Sequence, residues 1–220
     1  MKGKKKWIDP KSVEISTQIK NPELVERRRK QLVKAATKSF IKKGFHKTSM
    51  RDLAKVSGLS MGNLYDYISK KEDILYLVHQ DSIHSIYRKL FDLKEDEFDI
   101  KFKEIDEIIK HALERTFEFQ DEIILLYRES GSLSRELLVS MLGLEREYIT
   151  MIRRLLDKAN EEGLYEIEDT HFVANLIVYL IAFLSLRRWN FREHDKVKLI
   201  DLLMHYVKRI LESPKMESEI

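Results

Sequence analysis

The sequence predicts an all-α fold, and three observations lead there. No proline occurs between positions 72 and 213. No run alternates apolar and polar residues for long, and apolar residues recur at three- and four-residue steps through most of the chain. Gly131, Gly143 and Gly163, with polar clusters at 92–99 and 166–169, supply the punctuation between helices. The 220 residues are 43% hydrophobic and 35% charged, enough for a small domain joined to a larger one. The expected layout is a basic extension (1–22), a small helical head (23–70) and a larger helical body (71–213).

The extension carries Lys2, Lys4, Lys5, Lys6, Lys11 and Lys20, with Pro10 and Pro22 interrupting regular structure. It reads either as a disordered tail or as an arm that follows a nucleic-acid backbone. The first helix is expected from Asn21 or Pro22 to Lys43, with Pro22 in its first turn and Gly44 ending it. Leu32, Ala36 and Phe40 form its packing face. Arg27, Arg28, Arg29 and Lys30 crowd its start against the helix dipole, a placement that nearby phosphates would explain.

The segment 48–73, TSMRDLAKVSGLSMGNLYDYISKKED, reads as two short helices around a tight turn, followed by the cap of another helix. Thr48 or Ser49 caps the first, where Ser49 and Asp52 have capping-box spacing. Gly58 supplies the turn, and Leu59 and Leu64 pin the second helix onto Leu53 and Ala54. This is helix-turn-helix spacing, although a plain helical hairpin can share it. The second helix holds Ser60, Gly62, Asn63 and Asp66, each costing roughly 0.5–1 kcal/mol relative to alanine. Its small polar surface suits a groove better than a core. Ser69 and Glu72 are spaced for a further capping box.

The run Met61-Gly62-Asn63-Leu64-Tyr65-Asp66-Tyr67-Ile68, then Lys71-Glu72-Asp73, resembles the DNA-binding domain of the TetR/AcrR family of bacterial repressors. That pattern runs small-Gly-x-Leu-Tyr-x-Tyr-Phe and leads into Lys-x-Glu; Ile68 stands where Phe is usual. The match is specific over about residues 28–78. The resemblance implies a head of three helices on a ligand-binding and dimerising body, about nine helices in all. Thr48, Ser49, Tyr65, Tyr67 and Lys71 are then expected on phosphates, with Arg51 pointing outward from its first turn. Ser60, Met61, Gly62 and Asn63 would face base edges, Asn63 being suited to adenine.

Charge is divided accordingly. Residues 1–71 contain 19 Lys+Arg against six Asp+Glu, a net of +13, and the remainder carries −10. A cationic head on an acidic body binds duplex DNA in one orientation. The chain has no cysteine, which excludes thiol sensing and disulfides and is compatible with a reducing cytoplasm. The N-terminus lacks the apolar run of a signal peptide, and the segment 170–186 is too short to span a membrane. Seven scattered histidines suggest no metal site. No nucleophile turn, phosphate loop or paired-acid cleft points to an enzyme or a cofactor.

Body helices are expected at about 71–92, 101–119, 121–129, 135–162, 170–190 and 195–212. The segment 172–186 is apolar on nearly every side, so one side can face the core and the other a partner subunit. In the resembled family the last two long helices pair as a four-helix bundle. A homodimer reading an inverted-repeat operator in double-stranded DNA follows. The family also implies a small-molecule effector, with Phe117, Tyr127, Tyr148, Met151, Tyr179, Phe183, Arg187 and Trp189 as candidate contacts. Leu126-Tyr127-Arg128-Glu129-Ser130 and the segment from Leu186 to Phe191 are similar to segments of members that sense fatty acyl-CoA thioesters. The rival class is an all-helical interaction module without sequence-specific DNA affinity.

Overall fold

The computed structural model describes residue 13 and residues 15–212. Among the described residues all regular structure is helical. The order is α1 (Pro22–Lys43), α2 (Met50–Ser57), α3 (Met61–Tyr65), α4 (Lys71–Ile86), α5 (Arg88–Phe91) and α6 (Phe98–Lys101). There follow α7 (Ile105–Thr116), α8 (Gln120–Glu129), α9 (Arg135–Glu161), α10 (Thr170–Leu186) and α11 (Lys196–Leu211). Single 3-10 turns at Glu95–Glu97, Phe102–Glu104 and Ser130–Ser132 join them. The expected 71–92 helix is two pieces, because the backbone of Tyr87 (φ −98°, ψ 21°) leaves the helical path. No glycine or proline marks that break. The expected helix at 101–119 starts only at Ile105, and that at 170–190 stops at Leu186.

The described residues form two compact units: those up to 82 with 124–145, and 83–123 with those from 146 onward. The helix-turn-helix thus sits in a unit that continues through Ser82 and takes in 124–145. Helices α4, α8 and α9 each start in one unit and finish in the other.

The first unit is built on Leu32, Ala36, Phe40, Leu53, Leu64 and Ile68, all at most 5% exposed where they meet Ile74, Tyr76, Leu137 and Met141. Burying each of the larger side chains contributes about 1.5–3 kcal/mol, ample to hold the short, weakly helical α2 and α3 in place. Asn21 caps α1 by accepting from the Leu24 N–H at 3.1 Å, with Pro22 at the first helical position. The capping box of α2 is complete. Ser49 Oγ accepts from the Asp52 N–H (3.1 Å), and Asp52 accepts from the Ser49 N–H (2.9 Å). At its other end Gly58 takes φ +69°, where an L side chain would be strained. Its N–H and that of Leu59 reach back to the carbonyls of Lys55 and Ala54. The capping box expected from Ser69 and Glu72 does not form. Asp73 Oδ2 takes the N–H groups of both Ser69 (2.8 Å) and Lys70 (3.0 Å).

The second unit packs α7 between α10 and α11. Ile105, Ile108, Ile109, Ala112, Leu113 and Thr116 are buried as one stripe against Ile152, Leu155, Leu156, Ile177, Ile181 and Val207. Helix α10 buries Ala174, Ile177, Val178, Ile181 and Leu184 and leaves Phe172 (65%) and Tyr179 (51%) exposed. Helix α11 likewise exposes Val197, Leu202 and Tyr206. No helix among the described residues is long and apolar enough to cross a membrane.

Candidate functional site

Helix α3 is five residues long. Ser60 caps it through Oγ, which accepts from the Asn63 N–H at 3.1 Å, and Leu64 anchors it from below at 0% exposure. Ser60, Met61, Gly62, Asn63 and Tyr65 are exposed. Gly62 costs about 1 kcal/mol in a helix relative to alanine, yet nothing within the molecule requires it. A Cβ added there would meet only Ser60 Oγ, at 4.0 Å. Its missing side chain therefore leaves room for something outside the chain to approach closely.

The residues expected on phosphates separate into two groups. Ser49, Arg51 and Tyr65 are exposed, with Ser49 at the start of α2, where unpaired backbone N–H groups favour an anion. Asp52 also stands there as an anion. Hydrogen bonds from the Ser49 backbone and hydroxyl, and from Lys43, hold its carboxyl well below the usual range.

Thr48, Tyr67 and Lys71 occupy other roles. Thr48 is buried, and its hydroxyl donates to the Gly44 carbonyl at 2.9 Å. Tyr67 is 6% exposed and packs in the head core. The Lys71 ammonium donates to the carbonyls of Phe45 (2.8 Å) and Thr48 (3.0 Å), with that of His46 at 3.5 Å, and lies 4.4 Å from the Phe45 ring centroid. Its hydrogens are spent on fixing the loop that leads into α2. Lys47 and Lys70, not singled out by the sequence pattern, are exposed and make no ion pair among the described residues.

Arginine 29 was expected near phosphates and is instead internal to the head. Its guanidinium donates to the carbonyls of Tyr67 (3.0 and 3.1 Å), Ile15 (2.6 Å) and Ser16 (3.2 Å). These bonds, with those from Thr17 and Gln18 to the Asp66 carbonyl, dock residues 15–18 on the head. Lys2, Lys4, Lys5, Lys6 and Lys11 lie outside the described residues.

In the second unit a cavity of about 240 Å³ opens between the ends of α7, α10 and α11. Leu184, Leu199, Phe117 and Phe191 give it an apolar wall; Gln120, Arg188, Arg192, His194 and Lys196 add polar and cationic groups. Arg188 is paired with Asp121, Lys196 lies 5.1 Å from the Phe117 centroid, and Arg192 is exposed without a partner among the described residues. A cationic rim over an apolar wall fits an anion attached to a hydrocarbon.

Of the eight candidate ligand contacts, Phe117 lines this cavity and Phe183 packs edge-on against its wall residue Phe191 at 5.8 Å. The other six are not brought there. Tyr148 is stacked on Tyr87 at 4.0 Å in the core, and Met151 is half-buried against that core. Tyr179, Arg187 and Trp189 face outward, and Tyr127 is exposed on the part of α8 that belongs to the first unit. Large aromatic side chains at helical spacing mark core and surface alike. Of the three arginines that follow the end of α10 at Leu186, Arg188 and Arg192 line the cavity and Arg187 does not.

Comparison with known proteins agrees with this architecture. Residues 32–76 match the model of bacterial regulatory proteins of the tetR family, and residues 104–192 match that of the tetracyclin repressor-like C-terminal domain. The HTH-type transcriptional regulator HbdR of Aromatoleum sp. (strain CIB) is 24% identical over 192 residues, covering 84% of this chain and 80% of that protein. The fold is shared with FadR of Bacillus subtilis, solved with stearoyl-CoA (TM-score 0.68, 18% identity, 83% of this chain and 99% of that one). It is shared too with AibR, solved with isovaleryl coenzyme A and operator DNA (TM-score 0.62, 15% identity, 82% and 97%). These matching families and relatives are transcriptional regulators rather than enzymes. With its DNA-binding and C-terminal models together taking in more than half of the sequence, the chain belongs to the TetR family of transcriptional regulators.

Proposed function

We propose that this protein is a cytoplasmic homodimeric repressor that reads an inverted repeat through Ser60–Asn63 of α3 and is released by an acyl-CoA thioester. The observation that carries the DNA reading is the exposed face of α3, with a glycine that the chain's own packing does not need. Ser49, Arg51, Tyr65, Lys47 and Lys70 would hold the flanking phosphates. Asn63 would pair with adenine.

Dimerisation rests on exposed apolar side chains, Phe172 and Tyr179 on α10 and Leu202 and Tyr206 on α11. Exposed apolar groups of this size at helical spacing suit a helix–helix interface. A two-fold pair presents two copies of α3, with half-sites about one helical turn or slightly more apart.

The effector reading rests on the cationic, apolar-walled cavity, supported by the coenzyme A thioesters bound to FadR and AibR. Arg188, Arg192 and Lys196 would hold phosphates, and the apolar wall the start of the acyl chain. An anion there competes with Asp121 for Arg188, at the start of α8. A ligand releases DNA only by its differential affinity for the two states, here a change in head separation carried through α4. The test is fluorescence anisotropy of a labelled operator duplex titrated with acyl-CoAs of graded chain length. Release by some of them, lost in Arg192→Glu, supports this effector. Operator binding indifferent to every acyl-CoA eliminates it and leaves the DNA reading intact.

A further inference from the structure

The five-residue α3 leaves its C-terminal carbonyls without partners inside the helix. Two of the carbonyls that follow it are satisfied from outside the helix-turn-helix. The Asp66 carbonyl accepts from Thr17 Oγ1 at 2.7 Å and from the Gln18 N–H at 3.0 Å. The Tyr67 carbonyl accepts from Arg29, whose Nη2 also holds the Ile15 and Ser16 carbonyls. Ser16 Oγ lies 3.1 Å from Ser69 Oγ, and Ile15 sinks into the head core at 6% exposure. Further back, the Val13 N–H donates to Ser140 Oγ (2.9 Å), which is 2.6 Å from the Tyr76 hydroxyl.

We propose that residues 15–18 are a strap that positions the base-reading helix, so that Thr17 and Gln18 determine specificity without touching DNA. The role follows from the weakness of α3. One turn containing glycine and asparagine has little intrinsic preference for being helical. Its start is set by Leu59 and the Ser60 cap, and its far end by Leu64, by the buried Tyr67 and Ile68, and by the strap that holds the Asp66 and Tyr67 carbonyls. Loosening that end leaves Ser60–Asn63 exposed but no longer aligned with base edges. The phosphate contacts of Lys47, Ser49, Arg51 and Lys70, made from other elements, persist. The inference rests on α3 being the base reader.

The sequence provides a clean separation from electrostatics. Residues 1–12 contain five lysines, whereas 13–19 contain no lysine or arginine. The experiment measures affinity for a duplex selected by the full-length chain from a randomised pool and for a scrambled duplex, across salt concentrations. Chains starting at residues 1, 13 and 20 are compared, with Thr17→Val and Thr17→Ser in the full-length protein. Removing 1–12 should weaken both duplexes in parallel and flatten the salt dependence. Removing 13–19 as well should lower the selected-to-scrambled affinity ratio by about ten-fold with no further change in salt slope. Thr17→Val should move the ratio the same way by less, and Thr17→Ser should restore it. An unchanged ratio in the chain starting at 20 and in Thr17→Val overturns the strap. Should the shorter chain fail to fold by circular dichroism, Thr17→Val against Thr17→Ser decides. A full-length chain that selects no duplex overturns the base reader itself, and the strap's role with it.

Discussion

Replacing Lys71 by methionine separates the two roles this residue could have. Its ammonium makes two short hydrogen bonds to carbonyls, at 2.8 and 3.0 Å, with a third contact at 3.5 Å and the Phe45 ring beneath it. A charged donor contributes about 1.5–3 kcal/mol per hydrogen bond, and the low end applies to a half-exposed side chain. The ring adds about 0.5–1 kcal/mol. Methionine retains the apolar stem, so the expected cost is roughly 2–3 kcal/mol after solvent takes over part of the carbonyl hydrogen bonding. That corresponds to a melting temperature lower by roughly 5–10 °C for a chain of this size. The assay is a thermal melt of Lys71→Met beside its salt-dependent DNA affinity. A loop-fixing lysine lowers the melt and leaves the slope of log affinity against log salt as it was. A phosphate-binding lysine does the reverse, with the slope smaller by about 0.9 per contact. That second pattern would refute the role assigned from the geometry.

Asn63→Ala should cost about 1–3 kcal/mol of base discrimination at one position of each half-site, while affinity for scrambled DNA stays unchanged; binding to a panel of single-base operator variants measures this. Leu202→Glu combined with Tyr179→Glu should convert the proposed dimer to monomer, read as a halved mass by light scattering, because charge would be buried on both faces proposed to pair. His111, half-buried on α7, has its pKa held below the ordinary 6.5 by burial and then by Lys89, Arg88 and Arg115. The folded state therefore binds fewer protons than the unfolded one just below pH 6.5, so stability should be full above that value and fall as the pH drops through it. Urea unfolding at pH 7.5 and 5.5 checks the sign, and His111→Gln should reduce the slope.

The fold was legible because helix ends carried local signals that tertiary packing did not override. Pro22, the Ser49–Asp52 pair and Gly58 each sit where their chemistry predicted. The break at Tyr87 carried no such signal, since it arises where that ring stacks on Tyr148, 61 residues further along. The exposed face of α3 was legible for the same local reason, Ser60, Gly62 and Asn63 lying between buried Leu59 and Leu64. Thr48, Tyr67 and Lys71, expected on phosphates, have partners within the chain that the sequence does not reveal, because a hydroxyl or ammonium looks the same in sequence whether it meets a phosphate or a carbonyl. Only the fold brings Gly44 to Thr48, and the 45–48 carbonyls to Lys71. The strap was invisible because its partners, Arg29, Asp66 and Ser69, lie on other elements, and no local pattern links them to residues 15–18.

Sequence-selective duplex binding by two copies of the chain is the claim on which the rest depends. Gel shift of the purified full-length protein on the region upstream of its own gene, against a scrambled duplex of equal length and composition, tests it most directly, with stoichiometry and footprint read from the shifted band. The account predicts two protomers on an inverted repeat, selective over the scrambled control by at least roughly 10³-fold. Equal retardation of both duplexes, or a single protomer on the shifted one, would contradict it.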